Sequence, residues 1–320
     1  MLNTVEKTNK RRKVSAVRRT NSAQHTVTKK GRPDMAFMAT VLMLLILGLI
    51  MVFSASYPSA NYNYGDGLYF IRKQALWAGL GVAAMFFTMK LDYRLYKKFL
   101  GPIVGVTFVL LVLVLASSPI KGARRWLGVG SFSFQPSEAA KIAVIIYLAA
   151  SLSTTKEKIR DIRYLARYAV VLGAFFLLLI LEPHFSVCII IGLVSVIMLL
   201  VGGAQPKHFL IAALILIPAA VVVAFGADYR ADRLLMYVNP FADPQGDGWQ
   251  IIQSLYAIGS GGLFGLGFGN SRQKYMYVSE PQNDFIFAIV CEELGLVGAL
   301  VIIALFAFLV WRGIKIAMLS

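Results

Sequence analysis

Residues 36–55 read AFMATVLMLLILGLIMVFSA, a run of 20 residues without a charged side chain. As a helix, about 20 predominantly apolar residues span the hydrocarbon core of a bilayer. The run also lacks the alternation of apolar and polar residues that a membrane β-strand requires. This stretch therefore predicts a transmembrane helix and sets the fold class.

Similar apolar runs recur along the rest of the chain. Of its 320 residues, 58% are hydrophobic and 15% are charged, whereas an ordinary soluble domain carries roughly 25% charged residues. A soluble globular protein is thereby excluded. The sequence predicts an all-α, polytopic transmembrane helix bundle with a long extracytoplasmic loop, residues 226–283, between spans 7 and 8. The eight expected spans lie at about 36–55, 74–90, 99–116, 138–153, 168–182, 185–201, 208–225 and 284–312.

Half of the formal charge of +16 lies in residues 1–34, which hold ten Lys and Arg against two acidic residues. This polar tail has no apolar periodicity and is predicted to be disordered. A basic segment beside a membrane helix is typical of a cytoplasmic tail that contacts anionic membrane lipids. That interpretation is favoured over nucleic-acid binding, and no nucleic acid is expected as a partner.

Positive charge is distributed unequally between the two sides of the predicted bundle. With the tail in the cytoplasm, 22 Lys and Arg fall on the cytoplasmic side and nine on the outer side. Cytoplasmic loops of membrane proteins carry this excess. Residues 35–320 are therefore predicted to form a multi-pass membrane domain with both termini in the cytoplasm.

Two outer loops, residues 117–137 and 226–283, are candidates for chemistry. The second is far longer than most connections, and long loops in compact proteins are usually functional. Its glycine-rich stretch, 259–269, follows no predicted strand, so a dinucleotide fingerprint is rejected and no nucleotide cofactor is expected. The stretch is predicted to pack tightly against backbone, with contact to a ligand as the alternative.

Charged residues also fall inside predicted spans. Glu138 and Lys141 lie three residues apart at the start of the fourth span and are expected to pair on one helical face. Ionisable groups in a membrane are costly and mark functional sites, although a polar clamp between helices would explain the pair equally well.

Asp284 is predicted to begin the last span, with Glu292 eight positions later on a similar face. Together the two carboxylates could line a polar cleft that descends from the outer surface. The alternative for Asp284 is the N-cap of the last helix.

Several short motifs follow one another along the chain. They are Gly122-Ala-Arg-Arg-Trp126, Phe134-Gln-Pro-Ser-Glu-Ala-Ala-Lys141, Tyr229-Arg-Ala-Asp-Arg233 with Asn239-Pro240, Gln250-Ile-Ile-Gln-Ser254, Gly259 to Lys274, Asn283-Asp-Phe-Ile-Phe287 and Glu292-Glu-Leu-Gly295. Together these motifs resemble the SEDS family (shape, elongation, division and sporulation), which comprises FtsW, RodA and SpoVE, and they favour an FtsW-like member. Each motif alone is weak, but here they stand in family order and on the expected side of the membrane.

The resemblance implies a peptidoglycan glycosyltransferase that polymerises lipid II at the outer face of the membrane, with a class B penicillin-binding protein as partner. It implies that Asp284 is the general base for the acceptor hydroxyl. Trp126 could lie against a sugar or belong to the interfacial aromatic belt. A divalent cation, Mg²⁺ or Mn²⁺, is a further candidate source of positive charge for the diphosphate. The remaining candidate substrate-binding residues are Arg125, Gln135, Glu138, Lys141, Arg272, Lys274 and Glu280.

The sequence departs from the family pattern in two places. The family usually has ten spans, so this chain is expected to be short at its C-terminus. His184 stands where the family commonly has Asp, and it is interpreted as structural or exposed. Two other functions remain open, a lipid II flippase or transporter and a non-catalytic scaffold of a division or elongation complex. Transport is disfavoured because the acidic residues cluster near the outer surface and no inverted repeat is evident.

Overall fold

The computed structural model describes residues 33–118, 124–129, 132–214, 236–246 and 248–319. The basic tail, the Gly122-Ala123 part of one motif, the stretch 229–233 and the second half of the seventh predicted span lie outside the described residues. The chain divides into two compact units, Met1–Ala78 with Ser254–Ser320, and Gly79–Gln253.

Nine helices and one short hairpin can be bounded within the described residues. The helices are α1 (Met35–Tyr64), α2 (Tyr69–Thr88), α3 (Arg94–Lys98), α4 (Leu100–Leu115), α5 (Pro136–Thr155), α6 (Ile162–Leu181), α7 (Phe185–Val201), α8 (Trp249–Ser260) and α9 (Ile286–Leu319). The strands are β1 (Leu127–Val129) and β2 (Phe132–Phe134), and 3₁₀ turns cover Lys156–Arg160 and Pro240–Ala242. Residues 206–214 are also helical.

Helices α1, α5, α6 and α9 are long and apolar enough to cross a membrane, and α4 and α7 are shorter apolar helices. Many of their large hydrophobic side chains are exposed, as expected for surfaces that face lipid. The all-α, polytopic prediction is confirmed. The count of eight spans stays a prediction, because the seventh is described only in part.

The unit Gly79–Gln253 is built around α4, α5, α6 and α7, whose facing apolar side chains form one core. Phe175, Leu148 and Leu179 are fully buried in it. A fully buried side chain of this size contributes roughly 1.5–3 kcal/mol relative to exposure to water. In lipid the same contacts act through close packing instead.

In the other unit, α1 and α9 pack antiparallel around Met51, Ala55, Ile289 and Val290. At one end, Asp34 caps α1 through a hydrogen bond from the Phe37 amide, 2.9 Å long. The same carboxylate pairs with Arg312 near the end of α9, at 2.7 Å. Its pKa is lowered, first by the Phe37 hydrogen bond and then by Arg312. This pair places the start of α1 and the end of α9 on the same side of the membrane.

Helix α9 is broken at Gly295, whose φ of 69° and ψ of −170° are non-helical. The glycine-rich segment supplies the missing backbone hydrogen bonds. Amides of residues 266 and 267 donate to the carbonyls of residues 292 and 293, while the amides of residues 296 and 297 donate to the carbonyls of residues 262 and 263. An irregular membrane helix is tolerated only where its backbone is satisfied in this way.

Three elements were not predicted from the sequence. Helix α3 lies between the second and third predicted spans, the β1–β2 hairpin lies within the loop 117–137, and α8 lies within the loop 226–283. None of these segments has the long apolar run that indicates a membrane span. α8 buries Ile252, Gln253, Ser254 and Ala257, a mixed set that hydropathy alone does not identify.

Candidate active site

Asp284 lies in the turn that precedes α9, with its amide bonded to the Glu280 carbonyl at 3.4 Å. Helix α9 begins at Ile286, so Asp284 is not its N-cap and that alternative is wrong. The Asp284 side chain is exposed. Among the described residues its carboxylate has no hydrogen-bond or ion-pair partner, which leaves it available to accept a proton.

The predicted cleft shared by Asp284 and Glu292 is not formed. Glu292 is 1% exposed, and its carboxylate accepts hydrogen bonds from the Ser271 hydroxyl at 2.5 Å and the Arg272 amide at 2.9 Å. The spacing argument failed because Asp284 lies outside the helix, so helical periodicity does not relate the two side chains.

Lys274 does not present a free charge to a substrate, in contrast to the prediction. It is 4% exposed and forms an ion pair with Glu293 at 2.8 Å. Its ammonium also donates to the Gly269 carbonyl at 2.6 Å and to the Ser54 hydroxyl at 3.2 Å. All three N–H groups are therefore occupied.

Arg272 and Glu280 flank the same turn region, and both side chains are exposed. The Arg272 backbone is fixed by Glu292, while its guanidinium lies at the surface. Glu280 accepts a hydrogen bond from the Asn283 side chain at 3.1 Å and has a positive φ of 49°. A non-glycine residue in this left-handed region carries strain and is found in turns and at functional sites.

In the other unit, Glu138 and Lys141 form the predicted pair at the start of α5, with 2.9 Å between Nζ and Oε2. The Glu138 side chain is 55% exposed and that of Lys141 is 28% exposed. The contact lies within a single helix, so it is not a clamp between two helices.

Arg125 and Gln135 both reach the turn between α6 and α7. The Arg125 guanidinium donates to the backbone carbonyls of Glu182, at 3.4 Å, and Pro183. Gln135 lies 3.4 Å from the His184 ring. Four polar residues therefore meet at this turn, namely Arg125, Gln135, Glu182 and His184. The sequence did not predict this cluster.

Glu182 is the most unusual group of this turn, because it is fully buried and neither carboxylate oxygen has a hydrogen-bond partner among the residues that the structure describes. Burial raises its pKa to about 7, opposed by the positive charge of Arg125. Burial also lowers the pKa of His184, and Arg125 adds to that effect. His184 is half-buried, so it is a structural residue of this turn.

The structure thus places the predicted site residues in two groups. Arg125, Trp126, Gln135, Glu138 and Lys141 belong to the unit Gly79–Gln253, and Arg272, Lys274, Glu280 and Asp284 belong to the other. Trp126 is 38% exposed beside β1. Within the described ranges, no three His, Cys, Asp or Glu side chains lie together, and the divalent cation stays a prediction.

The glycine-rich stretch, 259–269, packs against the backbone of α9, as was predicted. A Cβ at Gly261 would lie 1.9 Å from the Cys291 carbonyl, and one at Gly265 would lie 2.2 Å from that of Glu293. Only glycine permits this approach. Beside it lies an apolar groove of about 300 Å³, lined by Ile258, Gly259, Gly262, Leu263, Cys291, Leu296 and Ala299.

A family model described as "Cell cycle protein", covering FtsW, RodA and SpoVE, matches residues 35–320. The chain belongs to the FtsW/RodA/SpoVE family. Two members of this family are similar to the chain over most of its length. Stage V sporulation protein E of Bacillus subtilis is 44% identical over 91% of this chain and 81% of that protein. The probable peptidoglycan glycosyltransferase FtsW of Geobacter metallireducens is 38% identical over 90% of this chain and 78% of that protein.

Solved structures of FtsW/RodA/SpoVE proteins share the fold. A chain from a study of how a peptidoglycan synthase complex coordinates polymerisation and crosslinking has a TM-score of 0.68 and 26% identity, over 87% of this chain and 76% of that chain. RodA of Thermus thermophilus has a TM-score of 0.58 at 23% identity, over 87% of this chain and 73% of its own. At this identity the RodA comparison establishes the fold alone.

Proposed function

We propose that this chain is a peptidoglycan glycosyltransferase that polymerises lipid II into glycan strands at the outer face of the bacterial cytoplasmic membrane. The glycosyltransferase activity rests on the family and on the named FtsW relatives. The observation that carries the mechanism is the exposed carboxylate of Asp284 in the turn before α9, which has no hydrogen-bond or ion-pair partner in the part of the chain that the structure describes.

Asp284 lies at the end of α9 opposite the Asp34–Arg312 pair. Along α1, which is continuous from Met35 to Tyr64, the Asp34–Arg312 pair and the Ser54–Glu293 hydrogen bond lie 20 positions apart. At 1.5 Å per residue this is about 30 Å, the thickness of the hydrocarbon core. If the basic tail is cytoplasmic, Asp284 is therefore outside. No nucleotide-sugar donor is available there, so the donor must be lipid-linked.

In the proposed reaction, the Asp284 carboxylate accepts the proton of the acceptor sugar's 4-hydroxyl. That oxygen attacks the anomeric carbon of the donor and forms the new glycosidic bond. The bond from the anomeric carbon to the diphosphate oxygen breaks, and undecaprenyl diphosphate leaves with the electron pair.

The leaving diphosphate requires positive charge near it. In its unit, Arg272 is the better candidate to bind the diphosphate, because Lys274 is buried in an ion pair with Glu293. Lys141, partly exposed beside Glu138, is the candidate in the other unit. A divalent cation bound by the diphosphate and one or two carboxylates would be a further source of this charge, and no step is assigned to it.

The cognate partner in this proposal is a class B penicillin-binding protein. The structural match to a chain from a polymerising and crosslinking complex supports such a partner. The basic tail would lie in the cytoplasm against anionic lipids, and the Asp34–Arg312 contact supports termini on one side of the membrane.

The base assignment is tested by Asp284→Asn, which keeps the shape of the side chain and removes its proton-accepting charge. The variant, purified with the cognate penicillin-binding protein, is expected to polymerise labelled lipid II at least 100-fold more slowly, within the range that general-base catalysis contributes. Its thermal unfolding midpoint should match that of the parent because the parent side chain is exposed.

If the Asn variant polymerised lipid II at the parent's rate, Asp284 could not be the general base. The two alternative functions predict other results in the same preparation. A flippase would move lipid II across vesicles without forming polymer, and a scaffold would assemble the complex with neither activity.

A further inference from the structure

A buried polar network, here called the α9 lock, joins α1, α9 and the segment that leads to Asp284. It consists of Ser54, Ser271, Lys274, Glu292 and Glu293, all at most 8% exposed. Its members come from three separate parts of the sequence, and none of them reaches the surface where substrate would bind.

Glu293 is the centre of the α9 lock. Both of its oxygens accept from the Ser54 hydroxyl at 2.7 Å, and Oε1 also accepts from Lys274 at 2.8 Å. The neighbouring Glu292 binds the Ser271 hydroxyl and the amides of Arg272 and Gln273. Each buried charge is therefore compensated by several hydrogen bonds, which makes the arrangement specific in geometry.

The position of the α9 lock in the chain connects it to Asp284. Lys274 and Asp284 are ten positions apart, and two of the nine residues between them, Val278 and Pro281, are buried. The Val278 amide donates to the Gln273 carbonyl, and the Asp284 amide donates to that of Glu280. The segment from the α9 lock to the Asp284 carboxylate is therefore held in place by two buried side chains and by two backbone hydrogen bonds.

We infer that Lys274 and Glu293 are positioning residues for the Asp284 carboxylate. Neither touches the reacting atoms. Their ion pair fixes residues 271–274 on α9 and thereby fixes where the turn 280–285 holds its carboxylate. A displacement of about 1 Å at a reacting group can lower a rate roughly 100-fold. This inference rests on the proposed function.

The experiment compares variants of the full chain with its penicillin-binding protein in the lipid II assay. Lys274→Met should lower kcat roughly 10- to 100-fold and leave KM for lipid II within about twofold, because the lock does not bind substrate. Lys274→Arg keeps the charge and should recover most of kcat. Lys90→Met, at an exposed lysine, is the matched control and should keep the parent kcat.

A double variant separates positioning from stability. Lys274→Met alone leaves Glu293 as an unpaired buried charge, which destabilises a fold, whereas removal of both charges is often neutral. Lys274→Met with Glu293→Gln should therefore regain the parent's unfolding midpoint while kcat stays low. Hydrogen exchange of residues 269–284 should be faster in both variants.

If the double variant regained kcat together with its midpoint, the α9 lock would serve stability alone and the inference would be overturned. A normal kcat for Lys274→Met beside an inactive Asp284→Asn would also overturn it and leave the proposed function intact. Full activity of Asp284→Asn would instead show that Asp284 is not the general base. The positioning role of Lys274 and Glu293 would then be overturned as well.

Discussion

Glu182 is the residue whose chemistry departs most from its surroundings, since its carboxyl group is fully buried and finds no hydrogen-bond partner within the described ranges. Burial raises its pKa from 4.5 to about 7. Below pH 4.5 both the folded and unfolded chains hold the proton. Between pH 4.5 and 7 only the folded chain retains it, so this group's contribution to folding stability declines across that window as pH rises.

Glu182→Gln is therefore expected to stabilise the protein at pH 8 by up to about 3 kcal/mol, the equivalent of the pKa difference, and to have little effect near pH 4.5. The measurement is the thermal unfolding midpoint in detergent at both pH values, with the low-pH pair as the internal control. An equal shift at both values would show that ionisation of Glu182 is not the cause.

Single-residue predictions from the sequence succeeded where the partners were close along the chain. Glu138 and Lys141 pair as their three-residue spacing predicts. The Lys274–Glu293 pair was missed because its members lie 19 positions apart and share no helix, and its contact with Ser54 was missed because Ser54 lies 239 positions from Glu293. Nothing in a single sequence reports which distant polar groups meet, so Lys274 was assigned to substrate although a buried partner already holds it.

At the scale of elements, apolar runs located the helices well, and α7 begins and ends at the predicted residues 185 and 201. The break in α9 could not be predicted from its own sequence. Gly295 can leave the helix only because the glycine-rich segment supplies partners for the freed amides and carbonyls. Its φ and ψ lie in a region that is essentially restricted to glycine.

Gly295→Ala is expected to destabilise the protein by about 3 kcal/mol or more, since the added Cβ would lie 2.3 Å from the Gly265 amide nitrogen and the backbone would be strained. Gly313→Ala on the same helix is the matched control. Its Cβ meets only Phe37, at 3.7 Å, and should be neutral or slightly stabilising. The measurement is the unfolding midpoint of each variant, and a Gly295→Ala value equal to that of the control would contradict the packing described for α9.

For the whole molecule, the charge distribution and the Asp34–Arg312 contact make one joint prediction about membrane orientation. The contact requires the start of α1 and the end of α9 to share a side, and the charge excess assigns that side to the cytoplasm. Asp284 then faces outward. The two native cysteines, Cys188 and Cys291, lie within membrane helices, so both can be replaced by Ala to give a background for labelling.

In that background, Ser279→Cys lies in the exposed turn region near Asp284, and Lys315→Cys lies near the opposite end of α9. A membrane-impermeant maleimide should label Ser279→Cys in intact spheroplasts and should label Lys315→Cys only after the membrane is permeabilised. If only Lys315→Cys were labelled in intact spheroplasts, the orientation of the protein in the membrane would be the reverse of the one proposed. The Asp284 carboxylate would then face a compartment in which the lipid-linked sugar at the outer face could not reach it.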